Sequence, residues 1–399
     1  MRVLWFAHRD IEHSRSGGAE RTIFEISRRL VVKGDEVIWA SCSFHGGPTE
    51  TVLDGVQIER IGSPFVSHFK VAPISRAWRP DVIIDDLGHV VPWFNDRPGG
   101  PPGTVFFRHL HARTLPGQLT PPLSAVFTMI ERSYPLVYRT WPFVTESNQS
   151  VRDLMALGIP RDRIVRIPPG VDLERFHPGE KSGEPTMVYF GGFREYKRPW
   201  VPISIFDRLT DRFPNLRLFM IGDGPNRREL ERTVQNQGTS GIRFMGRIDE
   251  ARLADHLSRA WVNIHCAVSE GWGLSIFEAS AAGTPTAAFS VPGVSEVVVP
   301  GVNGLLVPDG NVGELAKAVA TILSTRDRWI SSSRKLVEGF SWELSATRWR
   351  EHLHSILEGG QIHHRDPPAG VGGVPKPLPT SARTSEPTPS ESTLQWGDS

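Results

Sequence analysis

The chain has 399 residues, with 45 Lys plus Arg against 44 Asp plus Glu and a formal net charge of +1. That balance gives no footprint for a nucleic-acid partner, and the length exceeds one ordinary core, so two domains are expected. The only cysteines, Cys42 and Cys266, exclude a disulfide framework and fit a reducing cytoplasm.

Strand-like and helix-like patterns alternate for most of the length, which predicts α/β architecture with parallel sheets. Val3 to Ala7 is an apolar strand that runs straight into a turn, and it reads as a first strand, not as a signal peptide. The polar loop from His8 to Gly18 follows. Ala19 to Lys33 reads as a helix with Ile23, Ile26, Leu30 and Val31 on one face, stopped by Gly34. Glu36 to Ala40, Asp81 to Asp85 and Thr104 to Phe107 read as strands, and Val144 to Asn148 as a strand end entering a helix near Ser150. Ile167-Pro168-Pro169-Gly170-Val171-Asp172 is rich in breakers and is the candidate interdomain linker.

Beyond the linker the alternation restarts. Met187 to Phe190, Leu216 to Ile221, Arg243 to Met245 and Val262 to His265 are strands; Trp200 to Leu209, Arg227 to Gln235 and Leu253 to Arg259 are helical. Ser341 opens a final amphipathic helix through about Leu357. From Gly359 the composition turns to Pro, Ser, Thr and Gly, which cannot bury enough surface to offset ordering, so residues 359–399 are expected to be disordered. No apolar run is long enough to span a bilayer. Contact with a membrane surface is compatible with the sequence, though nothing in it demands this.

The segment from Ala267 to Gly283 carries the chemistry. Glu270 is flanked by Gly271, and Glu278 follows after seven intervening residues on a small-residue helix. A helix start can face a diphosphate, because its unpaired N–H groups carry partial positive charge. The carboxylates can hold sugar hydroxyls and a ribose diol. The competing reading of Ser275-x-x-Glu278 is a capping box, with Glu278 bonded back to the helix's first amide. No His/Cys/Asp cluster has metal-ligand spacing, so no metal is expected.

These motifs form an ordered series that resembles the retaining glycosyltransferases of family 4. Gly17-Gly18-Ala19-Glu20-Arg21 is similar to the family's N-terminal glycine loop, Ile167 to Phe176 to its interdomain signature, and Glu270-x(7)-Glu278 to its paired acids. Lys197 follows the first strand of the second half, and Gly293 to Val298 and Gly301 to Val307 match the closing turns. The resemblance covers most of residues 1–358. It implies a GT-B fold, with two Rossmann-like domains whose parallel sheets face a central cleft and a C-terminal helix crossing back to the first domain. The expected bounds are 1–168 for the acceptor domain, 169–340 for the donor domain and 341–358 for the crossing helix.

The resemblance also implies roles. Sugar would pass from a nucleoside-diphosphate sugar to an acceptor hydroxyl with retention, by same-face attack, without metal or cofactor. Glu270 and the Gly271, Trp272, Gly273 and Leu274 amides would position the sugar, and Glu278 the ribose. Lys197 and Arg194 would stabilise the leaving diphosphate, with Gly18 admitting backbone close to the ligand. The usual form has an arginine five residues before the lysine, where this chain has Gly192; Arg194 is the candidate substitute. His109, with His111 as runner-up, would face the reacting sugar. Asp85 and Asp86 are either acceptor contacts or caps. The acceptor is not coded by any motif in the irregular stretch from Phe44 to Gln118. A UDP-linked hexose or N-acetylhexosamine is the first donor expected and GDP-mannose the second. The expected place of work is the cytoplasm, with the inner membrane face as an alternative.

Two other classes compete. A nucleotide-dependent oxidoreductase fits two Rossmann-like halves, but the first loop lacks Gly-x-Gly-x-x-Gly and a ribose acid about 20 residues on. A non-catalytic sugar-nucleotide binder is motivated by Gly192.

Overall fold

Val3, Leu4, Trp5 and Phe6 are all apolar and all buried, as a strand covered on both faces by helices must be. In a computed structural model of the protein, which describes residues 1–115 and 119–359, they belong to β1 (Arg2–Phe6), near the middle of an eight-stranded sheet. Its other strands are β2 (Glu36–Ser41), β3 (Glu50–Leu53), β4 (Val56–Arg60), β5 (Val82–Asp86), β6 (Gly103–Phe107), β7 (Phe143–Thr145) and β8 (Ile164–Arg166). The order is β3-β4-β2-β1-β5-β6-β7-β8. Every pair is parallel except the β3–β4 hairpin. That hairpin turns on Asp54-Gly55, both at positive φ, the two-residue loop that a twisted hairpin favours. The stretch after Phe44, expected to be irregular outside its two strands, thus holds this hairpin and a 15-residue helix, Pro64–Trp78. The predicted tail lies, from residue 360 on, outside the described residues.

A second sheet repeats the plan. β9 (Thr186–Phe190), β10 (Arg217–Ile221), β11 (Ile242–Gly246), β12 (Val262–His265), β13 (Thr286–Phe289) and β14 (Gly304–Val307) are arranged β11-β10-β9-β12-β13-β14. All its pairs are parallel. In each sheet the winding reverses beside the first strand, between β1 and β5 and between β9 and β12. Ligands of open α/β sheets bind beyond the carboxyl ends of strands at such reversals. His8, His89, Gly192 and Glu270 all follow strands that flank one.

Two stretches of chain join the halves side by side. Val171 N–H donates to the Phe340 carbonyl at 2.8 Å and bridges to Ser341. A Cβ on Gly170 would stand 2.1 Å from the Trp342 backbone nitrogen, so only glycine lets the outgoing and returning chains touch. Ser341 then caps the helix Trp342–Leu357 by accepting from Leu344 N–H. This helix packs on Gly18–Val32 of the first half, as predicted. Trp349 is buried between Trp5 (ring centroids 5.2 Å apart) and Phe106 (4.9 Å), and Leu353 joins the same core cluster. Among the described residues no helix is long and apolar enough to cross a membrane.

Because Trp349 and Leu353 complete the first half's core, the last helix contributes to its stability. Trp349→Ala is expected to cost about 3–5 kcal/mol of unfolding free energy. Urea denaturation monitored by far-UV circular dichroism checks this; a loss under about 1 kcal/mol would mean that the helix merely rests on the surface.

Candidate active site

β12 ends at His265, and the loop after it places Glu270 against Lys197. The lysine comes from the short turn Glu195–Lys197 that follows β9. Lys197 Nζ forms an ion pair with Glu270 Oε1, and His265 Nε2 lies 3.0 Å from the same oxygen. Burial disfavours the charged carboxylate, but Lys197 and the His265 hydrogen bond outweigh it, so Glu270 sits well below the usual carboxylate range. Lys197 is likewise held above its ordinary range: burial opposes its charge, and Glu270 more than compensates. The loop is pinned from behind. Glu270 N–H donates to the Pro292 carbonyl at 3.0 Å. Gly293, at φ +83, lies so close that a Cβ would stand 2.0 Å from the Glu270 carbonyl oxygen.

Glu278 lies on the helix Leu274–Ala281, which begins after Gly273 in a left-handed conformation with no side-chain cap. The capping-box alternative is therefore wrong. The Glu278 side chain does not turn back to the helix start; it takes Arg21 Nη1 from the first half at 2.7 Å. Burial pushes the Glu278 carboxyl up, opposed by Arg21 and Arg175. Arg21 also meets Glu250 at 3.1 Å, and Glu250 pairs with Arg175.

The two halves meet around this site. Gly18 faces Leu274, whose Cδ1 would be 3.1 Å from an added Cβ. Gly271 lies over the Arg108 carbonyl, 3.2 Å from where its Cβ would be. Arg247 reaches the Ser16 carbonyl at 3.0 Å, and Glu296 accepts from Asn148 N–H at 2.8 Å. Trp272 points the other way, into the second core beside Phe277 and Phe340, so only its backbone is available to a ligand.

His109 follows β6 and is felt by both Glu270 and Lys197. Burial drives its pKa down to about 3, with His111 and Lys197 adding to the fall and Glu270 opposing it. His111 has other partners: Glu131 Oε1 lies 3.2 Å from its Nδ1 and the Gly88 carbonyl 3.3 Å from its Nε2. Of the two, His109 is the one beside the paired charges. Asp85 and Asp86 are interior anchors, not acceptor contacts. Asp85 is bonded to Asn95 and Tyr138, and burial raises its pKa to about 7. Asp86 holds Arg108, which also bonds Glu146 and the Ala19 carbonyl and thereby ties the glycine loop to β5, β6 and β7.

Arg194 sits before Lys197 and folds alongside Gly192: an added Cβ there would be 3.9 Å from Arg194 Nε. Its charge reaches Lys197 and His89. His89 stacks on His8 (4.2 Å), and His68 packs on Trp93 (4.6 Å). Burial drives His8 to about 3 and His89 well below its ordinary value, giving the first half's side of the cleft a wall of neutral imidazoles.

Residues 16–175 match the model described as Glycosyltransferase Family 4, and residues 171–336 the model for glycosyl transferases group 1. The chain belongs to glycosyltransferase family 4. The D-inositol 3-phosphate glycosyltransferase of Nocardia farcinica is 32% identical over 264 residues, 60% of this chain and 57% of that protein. The match thus spans little more than half of that relative's length. Among solved structures, sucrose-phosphate synthase from Thermosynechococcus elongatus aligns with a TM-score of 0.77 at 19% identity, over 90% of this chain and all of that one. Anabaena HepE in complex with UDP-glucose gives 0.67 at 16% identity, over 89% and 100%. The fold of this family 4 chain is GT-B, and the oxidoreductase alternative falls with the family assignment.

Arg21 and His265 join the site without having been assigned a role from the sequence. The signals were there: a cation in the first helical turn after a Gly-Gly loop, and a histidine closing the strand before the acidic motif.

His109 is neutral when folded and has an ordinary histidine pKa near 6.5 when unfolded. The unfolded chain therefore binds the extra proton between about pH 6.5 and 3, and wild-type stability falls as pH drops through that window. His109→Gln removes this term. The variant should gain on wild type by about 1.4 kcal/mol per pH unit below 6.5, measured by guanidinium unfolding at pH 7.5 and 5.0. Parallel losses in both proteins would show that His109 is not held neutral.

Proposed function

We propose that the chain transfers a sugar from a nucleoside-diphosphate sugar to an acceptor hydroxyl, with retention of anomeric configuration. The observation that carries this is the Lys197–Glu270–His265 cluster at the mouth of β9 and β12, facing His109 across the cleft. A carboxylate kept charged there can accept hydrogen bonds from sugar hydroxyls. Glu278 is suited to the ribose diol, with Arg21 sharing it. As the bond from the anomeric carbon to the phosphate oxygen breaks, negative charge grows on the diphosphate, and Lys197 and Arg194 are the cations beside it. The acceptor oxygen then bonds the anomeric carbon from the same face, and the departing phosphate oxygen takes its proton. This route needs no metal, because those side chains supply the positive charge.

The neutral imidazoles of His8, His68 and His89 are suited to hydroxyl groups of the acceptor, since each offers one donor and one acceptor nitrogen. For the donor, UDP-linked hexose or N-acetylhexosamine comes first, in keeping with the UDP-glucose bound to HepE. For the acceptor, the Nocardia relative's name suggests a phosphorylated polyol. The second reading, a sugar-nucleotide binder without turnover, is motivated by Gly192 in place of a cation.

A thermal-shift screen with UDP-glucose, UDP-N-acetylglucosamine and GDP-mannose should find one donor that raises Tm. With that donor, Glu270→Ala is expected to lower sugar transfer or donor hydrolysis at least about 100-fold. Equal, negligible turnover in wild type and variant with donor binding intact would instead establish the binder.

A further inference from the structure

Helices on a sheet normally bury their apolar stripe, as Gly18–Val32 does with Ile23, Ile26 and Leu30. Two helices of the first half do the reverse. Pro64–Trp78 buries Ser67, Val71 and Ser75, while Phe65 is 86% exposed and Phe69 83%. Phe65, Phe69, Ala72 and Arg76 are spaced i, i+4, i+7 and i+11, which puts them on one outward stripe. Pro121–Arg132 buries Ser124 and Glu131, while Val126 and Met129 are exposed, Met129 by 70%.

Val71 of the first helix and Tyr134, just beyond the second, pack in one core cluster, on the sheet face lined by Leu4, Phe6 and Ile83. The two helices come after the carboxyl ends of β4 and β6, the edge that borders the cleft. Phe65 and Phe69 are too large, and too consistently turned outward, to be scattered surface apolar residues.

Charge decides what covers them. From Ile61 to Pro80 there are Lys70, Arg76 and Arg79 and no acid. Glu131, the only acid of Pro121–Arg132, is turned inward to His111, and Arg132 is exposed. A second copy docked about a two-fold axis would set these cations against one another. An anionic lipid surface satisfies both the aromatic and the cationic side chains.

We propose that this face docks on an anionic bilayer, with Phe65, Phe69 and Met129 entering the boundary between headgroups and acyl chains and Lys70 and Arg76 meeting lipid phosphates. The cleft would then open beside the membrane, where a lipid-borne acceptor reaches it laterally. This docking stands apart from sugar transfer and is read without turnover.

The test is co-sedimentation of the full chain with vesicles of phosphatidylcholine alone or mixed with phosphatidylglycerol. Wild type should pellet with the mixed vesicles, less so as salt is raised, and scarcely with phosphatidylcholine. F65S/F69S should weaken the partitioning at least about tenfold. K70E/R76E should abolish the preference for phosphatidylglycerol; both variants should keep the wild-type Tm. Wild type left in the supernatant, or F65S/F69S pelleting like wild type, overturns the proposal. A concentration-dependent dimer in light scattering that F65S/F69S dissolves, with no vesicle binding, would show that a second copy covers the face.

Discussion

A carboxylate that stays charged while mostly withdrawn from water must have its countercharge built in, and this constraint on Glu270 organises the second half of the protein. A buried, unpaired carboxylate would take up a proton instead. Lys197 prevents that from the turn after β9, and His265 does so from the end of β12. The two strands are adjacent in the sheet, which brings the loops that follow them to the same end of the sheet. The Gly293 contact follows from the same need: the loop must lie flat against its neighbour for the carboxylate to meet both partners.

Across the cleft the first half is organised by the opposite charge. Arg108 is buried among Asp86, Glu146 and the Ala19 carbonyl and stacks on Phe106 at 3.7 Å. Its own carbonyl is the surface against which Gly271 rests. Contacts between the halves include polar pairs (Arg21–Glu278, Arg21–Glu250, Arg247–Ser16, Glu296–Asn148) and glycine approaches, with separate cores on either side. Interfaces of this polar kind allow domains to move relative to one another.

Much of this was legible in the sequence because it depends on local chemistry. Apolar runs such as Val3 to Phe6 can only be covered strands. The breaker run at Ile167 to Asp172 can only be a connection, and Glu270 next to glycine can only be a loop acid. Contacts between distant segments were not legible. Nothing near Glu278 reveals that Arg21, 257 positions away, is its partner, and the local pattern Ser275-x-x-Glu278 fits equally well a cap that the structure does not form. Trp272 lies within the motif yet packs in the core, since periodicity cannot tell which residue of a loop turns inward. The hairpin on Asp54-Gly55 did carry a readable turn signal, but its strands are short and half polar.

Gly192 is where this chain departs from its family pattern, and the structure gives the departure a physical content. A Cβ at Gly192 would meet the Arg194 side chain only at an ordinary contact distance of 3.9 Å, so the arginine lies alongside the glycine. Arg194 stands two residues beyond the glycine, and its charge adds to the burial that lowers His89. The same charge opposes that of Lys197, so one guanidinium acts on side chains of both halves. An anion held near Arg194 would therefore ease its opposition to positive charge on both Lys197 and His89.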